Sequence, residues 1–431
     1  MHILLLGAGG REHAFAWKLT QSKRCTKLFI APGNSGTAAH GENVALNPLD
    51  FEAVGQFVLA HQIGMVVVGP EEPLVRGIWD YFQADAQLRS ILLIGPSKAG
   101  AVLEGSKAWA KQFMQRHQVP TAAYREFTTD QLAEGLAYLA QHPLPVVLKA
   151  DGLAAGKGVV ICQSHAEADA ELREMLGGKF GAAGDRVVVE AFLDGIEFSV
   201  FALTDGKNYV ILPEAKDYKR IFDHDKGPNT GGMGAVSPVA FVDDAMWQKV
   251  EQQIIKPTIK GLHKEKIPYT GFVFFGLISV NNEPYVIEYN CRMGDPETEV
   301  VLPRLKTDLV MALQNCAQGT LGRVKIRADK RAATTVFLVS GGYPGNYEKG
   351  KPITGLDKIK GSLAFHAGMR NAGDAVVTDG GRVLAITSFG KDLAAALKKS
   401  NRNARLVQFE GKFFRKDIGK DVQKLADSTK S

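Results

Sequence analysis

The chain has 431 residues, a net charge of +6, 45% hydrophobic residues and 23% charged ones, so it divides into several cores and has too much apolar content for a disordered chain. Its basic residues are spread out, which argues against a nucleic-acid groove, and no run reaches the ~18 apolar residues of a membrane span. Cys25, Cys162, Cys291 and Cys316 form no CxxC pair, a usage that suits reduced thiols in a cytoplasmic protein with neither disulfide nor zinc.

Residues 1 to about 100 alternate strand and helix. HILLLG predicts a buried strand that breaks at Gly7, too short a run for a signal peptide. A glycine turn and a helix carrying Ala14, Trp17 and Leu19 follow. KLFIAPG, GMVVVGPE and SILLIGPS predict three more strands. Continuous apolar strands closed by glycine loops imply a parallel α/β sheet, with ligands at the carboxyl ends of its strands. The first turn, GAGGREH, invites a dinucleotide fingerprint. Its third small position falls on Glu12, however, and the second strand ends in Ala-Pro-Gly-Asn rather than in an acid. Small residues, helix-start amides and Arg11 suit an anion such as a phosphorylated sugar. A tight turn with a surface arginine is the plainer alternative.

From about 105 the texture changes. SKAWAKQFMQRH predicts a helix with Ser106 as its N-cap, AAYREF a strand, and DQLAEGLAYLAQH a second helix. Next comes VVLKADGLAAGKGVVIC. This is no P-loop: only three residues separate Gly152 from Gly156-Lys157, Gly158 brings no hydroxyl, and VVIC is a strand. It reads as a hairpin flap whose amides fold over phosphates, with Lys149 and Lys157 adding charge, or simply as a hairpin turn. RVVVEAFLDG and IEFSVFALTDG predict strands. Within the first, Glu190 to Leu193 is read as an interlobe strand whose backbone pairs with a base edge, and Glu197, in the second, as a ribose ligand. A plain core strand fits the composition equally.

EAKDYKR reads as strand-edge charge, and DHDKGPNTGGMGAVSP as a polar glycine loop that moves or touches ligand. A long helix over 243–265 and a hairpin, TGFVFFGLISV-NNE-PYVIEYN, follow. In VIEYNCRMGDPE, alternation puts Glu288 and Asn290 on one face, a pair of oxygen donors suited to Mg²⁺. Arg292 can grip a carboxylate or phosphate bidentately. Asp295 and Glu297 start a helix, where acids also serve as caps. Two helices, PETEVVLPRL and KTDLVMALQNCA, close this region. From about 324 a smaller α+β unit contributes AATTVFLVSGGYPG and GGRVLAITSFG as strands. His13 and His224 read as packing or surface histidines, and no Ser-His-Asp or Cys-His set can be argued from spacing.

Taken together, GREHA, APGN, GPEEPLV, LEGSKAW, LKADGLAAGKGV, GPNTGGMGAVSP, TGFVFFGL, IEYNCRMGDPETE, SGGYPG and FRKDIG resemble the ATP-grasp ligases, and within them the glycinamide ribonucleotide synthetase (phosphoribosylamine–glycine ligase) family. The resemblance implies a multidomain α/β and α+β fold: a Rossmann-like parallel α/β domain over 1–104, an ATP-grasp domain over 105–323 with a flap lobe near 121–192, and a small α+β domain over 324–431. It implies ATP-dependent ligation of glycine to 5-phosphoribosylamine through a glycyl phosphate, with Mg²⁺ or Mn²⁺ on Glu288 and Asn290. Lys107, Lys149, Gly156, Lys157 and Gly158 would meet the ATP phosphates. Glu190, Ala191 and Leu193 would frame adenine, and Glu197 the ribose. Gly9, Gly10, Arg11, Glu12, Asn34, Pro70 and Glu71 would hold phosphoribosylamine, while Asp217, Lys219, Arg292 and Asp295 would lie near glycine and the acyl phosphate. Partners would be these small molecules alone, with neither nucleic acid nor membrane, and the chain a monomer. Another ATP-grasp ligase or carboxylase, a nicotinamide oxidoreductase and a non-catalytic nucleotide sensor are the alternatives.

Overall fold

The computed structural model describes residues 1–152 and 158–428. At its N-terminal end five parallel strands form one sheet, in the order Glu42–Asn43, Lys27–Pro32, His2–Gly7, Ile63–Val68, Leu92–Ile94. The central strand explains why: Ile3, Leu4, Leu5 and Leu6 are all fully buried, as a strand covered on both faces requires. The sheet's carboxyl edge carries Gly7–Gly10, Asn34 and Pro70–Glu71. Among the described residues, no helix is long and apolar enough to cross a membrane.

Two antiparallel four-stranded sheets follow. One runs Tyr124–Thr128, Arg186–Ala191, Val146–Ala150, Val159–Cys162. The other runs Tyr209–Ile211, Ile196–Thr204, Gly271–Val280, Glu283–Asn290. The tight turn of the last hairpin rests on Asn281 and Asn282, with φ of 51° and 63°, the left-handed pair that such a turn demands. The long helix predicted over 243–265 is present as Asp244–Lys249 and Lys256–Lys264, joined by a π-helical stretch, Val250–Ile255.

One expectation needs correction. The stretch DHDKGPNTGGMGAVSP, Asp223 to Pro238, reads as a loop, yet it holds two strands, Lys226–Asn229 and Gly234–Ser237. Left-handed backbone at His224, Asp225 and Gly227 turns the first back onto Arg220–Phe222. The second is small enough in side chain to lie fully buried against Ala332–Val339. It thereby joins a five-stranded sheet, Lys216–Asp217, Gly234–Ser237, Ala332–Val339, Arg382–Gly390, Leu363–His366, which draws strands from both sides of residue 324.

Candidate active site

The candidate residues gather where the two antiparallel sheets meet each other and the carboxyl edge of the parallel one. Strand Glu283–Asn290 carries a bulge: Val286 pairs with Leu277 and Glu288 with Gly276, leaving Ile287 as the extra residue. Val286 and Tyr289 are buried, while Ile287, Glu288 and Asn290 are half-buried on the other face. Strict alternation from Val286 would have sent Glu288 into the dry interior. The bulge re-aims it and keeps Glu288 and Asn290 together. The spare residue is used as well, because the carbonyl of Ile287 accepts a hydrogen bond from Lys149 Nζ at 3.1 Å.

Lys149 and Lys111 both pair with the buried carboxylate of Glu190, at 3.0 Å each. Burial lowers Lys111 to about 8, against the opposing pull of Glu190. Glu190 therefore neutralises two lysines from the middle of its sheet, where it pairs with Tyr124 on one side and Val147 on the other. Ala191 and Leu193 follow in the segment leading to the next sheet, both half-buried. Lys107 opens its helix just after the N-cap Ser106, whose Oγ accepts the Trp109 N–H at 3.1 Å. Its Nζ donates to the carbonyl of Gly152 at 2.8 Å, and burial lowers it while Glu288 opposes. Gly158, at the far end of the glycine turn, is buried and its carbonyl accepts the Ala150 N–H. Gly156 and Lys157 lie outside the described residues.

A second charge cluster faces Glu288. Lys219 donates to Glu197 at 2.8 Å. Burial opposes the lysine's charge, but Glu197, Asp217 and Glu288 outweigh it and hold Lys219 well above its usual value. The same contact pulls Glu197 down. Burial pushes Asp217 up, with Lys219 opposing. Glu297, which accepts from Ser199 Oγ at 3.1 Å, is pushed up to about 7 by burial and then by Asp217.

The third cluster joins the parallel sheet to the E-x-N strand. Arg292 contacts Glu104 at 2.7 Å and Glu71 at 3.3 Å. Arg11 donates to Glu12 at 2.7 Å and to the carbonyl of Met293 at 3.2 Å. Burial pushes Glu104 up and Arg292 opposes it. Burial also pushes at Glu71, but Arg292 and Arg11 win and hold it down. Glu12, the residue that broke the dinucleotide fingerprint, folds back and accepts the Gly9 N–H at 2.6 Å. It fills the space over Gly7 and Gly69, so an anion at the Gly9 amide has to compete with it. Pro70 stands just before the short helix Glu71–Arg76. Asn34 has no capacity left for a ligand: its Nδ2 donates to the carbonyls of Ala8 and His366 (2.8 Å each), and its Oδ1 accepts from Gly36 and Thr37. It staples the turn.

Sequence reasoning passed over two side chains. Glu104 lies in the LEGSKAW stretch, three residues before Lys107, and carries no spacing signal of its own. Arg382 gave no local signal. It pairs with Asp295 at 3.1 Å and donates to the carbonyls of Asp295 (2.8 Å) and Gly231, tying the C-terminal sheet to the glycine turn. Beside Asp295, Glu299 is fully buried, and burial followed by Asp295 raises it well above a normal carboxyl. Among the described residues, no group of three or more His, Cys, Asp or Glu is arranged to cage a metal ion. One carboxylate and one amide oxygen side by side are instead the donor set of an ion that keeps its waters and takes phosphate oxygens.

Comparison with known proteins bears on the same residues. Three family models match in order: the phosphoribosylglycinamide synthetase N domain over 1–104, its ATP-grasp (A) domain over 105–298, and its C domain over 333–421. The chain is 47% identical over 425 residues to the phosphoribosylamine–glycine ligase of Allochromatium vinosum, covering 97% of this chain and 98% of that one. It is 45% identical over 425 residues to the same enzyme of Pseudomonas aeruginosa, covering 97% of each. The crystal structure of the Thermotoga maritima phosphoribosylamine–glycine ligase superposes with a TM-score of 0.84 at 35% identity, covering 97% of this chain and all of that one. With the three models in sequence and near-complete coverage of these relatives, the chain belongs to the phosphoribosylglycinamide synthetase family.

Proposed function

We propose that this chain joins glycine to 5-phosphoribosylamine at the expense of ATP, giving glycinamide ribonucleotide, ADP and phosphate. A glycine carboxylate oxygen attacks the γ-phosphorus and ADP leaves, which makes a glycyl phosphate. The amine nitrogen of phosphoribosylamine then attacks the acyl carbon, loses a proton, and phosphate leaves. No protein nucleophile is needed. The chain has to position two anions and the triphosphate and to exclude water.

The observation that carries this reading is the convergence of three lysines on the E-x-N strand: Lys107 and Lys219 feel the charge of Glu288, and Lys149 donates to the carbonyl of Ile287 beside it. Lys107 and Lys149 balance phosphate charge, and Gly156, Lys157 and Gly158 serve the same phosphates. The backbone of Glu190, Ala191 and Leu193 frames adenine, and Glu197 faces the ribose. Glu288 and Asn290 hold Mg²⁺ or Mn²⁺, which when bound offsets charge on the transferring phosphoryl group. Asp217, Lys219, Arg292 and Asp295 serve glycine and its acyl phosphate. Gly9, Gly10, Arg11, Glu12, Pro70 and Glu71 face phosphoribosylamine. The chain acts as a monomer on small molecules in a cytoplasmic setting. Incubation with ATP, glycine and phosphoribosylamine, each omitted in turn, is expected to give phosphate release only with all three. Release that ignores glycine would sink the reading.

A further inference from the structure

Glu104 sits two residues before the N-cap of the Lys107 helix, on the helix Lys98–Gly105, which packs against strand Glu283–Asn290. Its side chain is 5% exposed. One oxygen takes Arg292 Nη2 at 2.7 Å. The other accepts the Cys291 N–H at 2.8 Å and the Cys291 Sγ at 3.1 Å. All three partners are donors, so the geometry is that of an acceptor-only carboxylate. Glu71 differs. Its side chain is 34% exposed, and its contact to Arg292 Nε is longer, at 3.3 Å. Arg292 thus has one tight, buried partner and one loose partner at the water's edge. Glu104 and Glu71 thus sit on neighbouring donors, Nη2 and Nε, and because a guanidinium presents its donors in a fixed fork, the carboxylate that holds Nη2 sets where Nε points.

We propose that Glu104 is a positioning residue: its buried carboxylate is the fixed counter-ion that aims Arg292, and Glu71 is an exchangeable partner whose place the carboxylate of glycine takes. This rests on the ligase reading above and adds to it the group that orients one substrate. In the ligand-free protein Glu71 stands in for that carboxylate. When glycine arrives, Arg292 keeps Glu104 and trades Glu71 for substrate, so the arginine is never left with a bare charge. Released from Arg292, Glu71 faces the neighbouring phosphoribosylamine side of the cleft.

The test is steady-state kinetics of the full chain in each substrate. Glu104→Gln keeps the shape and one acceptor oxygen but removes the charge. It is expected to raise KM for glycine about tenfold while KM for ATP stays within about twofold. Glu71→Gln removes the competitor; because Glu71 also faces phosphoribosylamine, it is read at saturating phosphoribosylamine, where the glycine KM is expected not to rise. A glycine KM at the wild-type value in Glu104→Gln, or a rise in the ATP KM in parallel, overturns the positioning role. A tenfold rise of the glycine KM in Glu71→Gln overturns the exchange. Should Glu104→Gln fail to fold, Glu104→Asp, which keeps the charge but withdraws it by a methylene, is read on the same split between glycine and ATP. Wild-type ADP release that does not depend on glycine rejects the ligase reading itself. Glycine-dependent release with an unmoved glycine KM in the variant rejects only this inference.

Discussion

Single charges near the cleft fall into two kinds, and substitution separates them. Glu190 is 4% exposed and neutralises two buried lysines, so Glu190→Gln strands both. Leaving buried charge uncompensated costs about 3 kcal/mol, which urea unfolding should register as a lower midpoint. Glu288 is half-buried, and it shares the charge of Lys219 with Glu197 and Asp217 rather than balancing it alone. Glu288→Gln should therefore leave the urea midpoint near wild type and lower kcat by about a hundredfold, the scale expected when a group stabilising charge in the transition state is lost. A midpoint shift as large as that of Glu190→Gln would place Glu288 in the structural class instead.

At the scale of elements, the helix Gly10–Leu19 meets the strand Leu363–His366 through histidines. His13 Nδ1 accepts the His366 N–H at 2.8 Å, and His366 Nδ1 bonds Ser35 Oγ at 2.8 Å. The rings of His40, His366 and Phe365 lie around His13. Burial, with the neighbouring histidines, lowers His13 to about 3 and His366 to about 4. Both folded values lie below the unfolded one near 6.5. The unfolded chain thus binds protons that the folded one refuses, and this contribution to stability is lost as pH falls from about 6.5 toward 4. His366→Leu should lower the melting temperature at pH 7.5, and the gap to wild type should narrow by pH 5. A gap that widens in acid would contradict the sign.

For the molecule as a whole, the mixed sheet is the decisive feature. Gly234–Ser237 pairs on one side with the short strand Lys216–Asp217 and on the other along its whole length with Ala332–Val339, and the glycine turn before it is held by Arg382 and by Tyr343, whose hydroxyl accepts the Gly231 N–H at 2.9 Å. A chain stopped after Arg323 loses that strand partner and exposes a buried edge, which is a template for aggregation. It should fail to give a cooperative melt by circular dichroism, whereas the full chain gives one. A sharp transition in the shortened chain would show that the sheet is not needed to complete the central region.

Local pattern determined a good deal. HILLLG reads as a covered strand, NNE as the turn of a hairpin, and Glu12 as a misfit to a dinucleotide turn. The family motifs named the chemistry. Tertiary structure alone decided what lies across from what. Glu104 meets Cys291 over 187 positions, Arg382 meets Asp295 over 87, and the bulge at Ile287 turns Glu288 outward. The reason is physical. Propensity and periodicity act over a few residues, so they fix each element and its faces. The partner of a buried charge is chosen by packing between elements, and no local spacing records it.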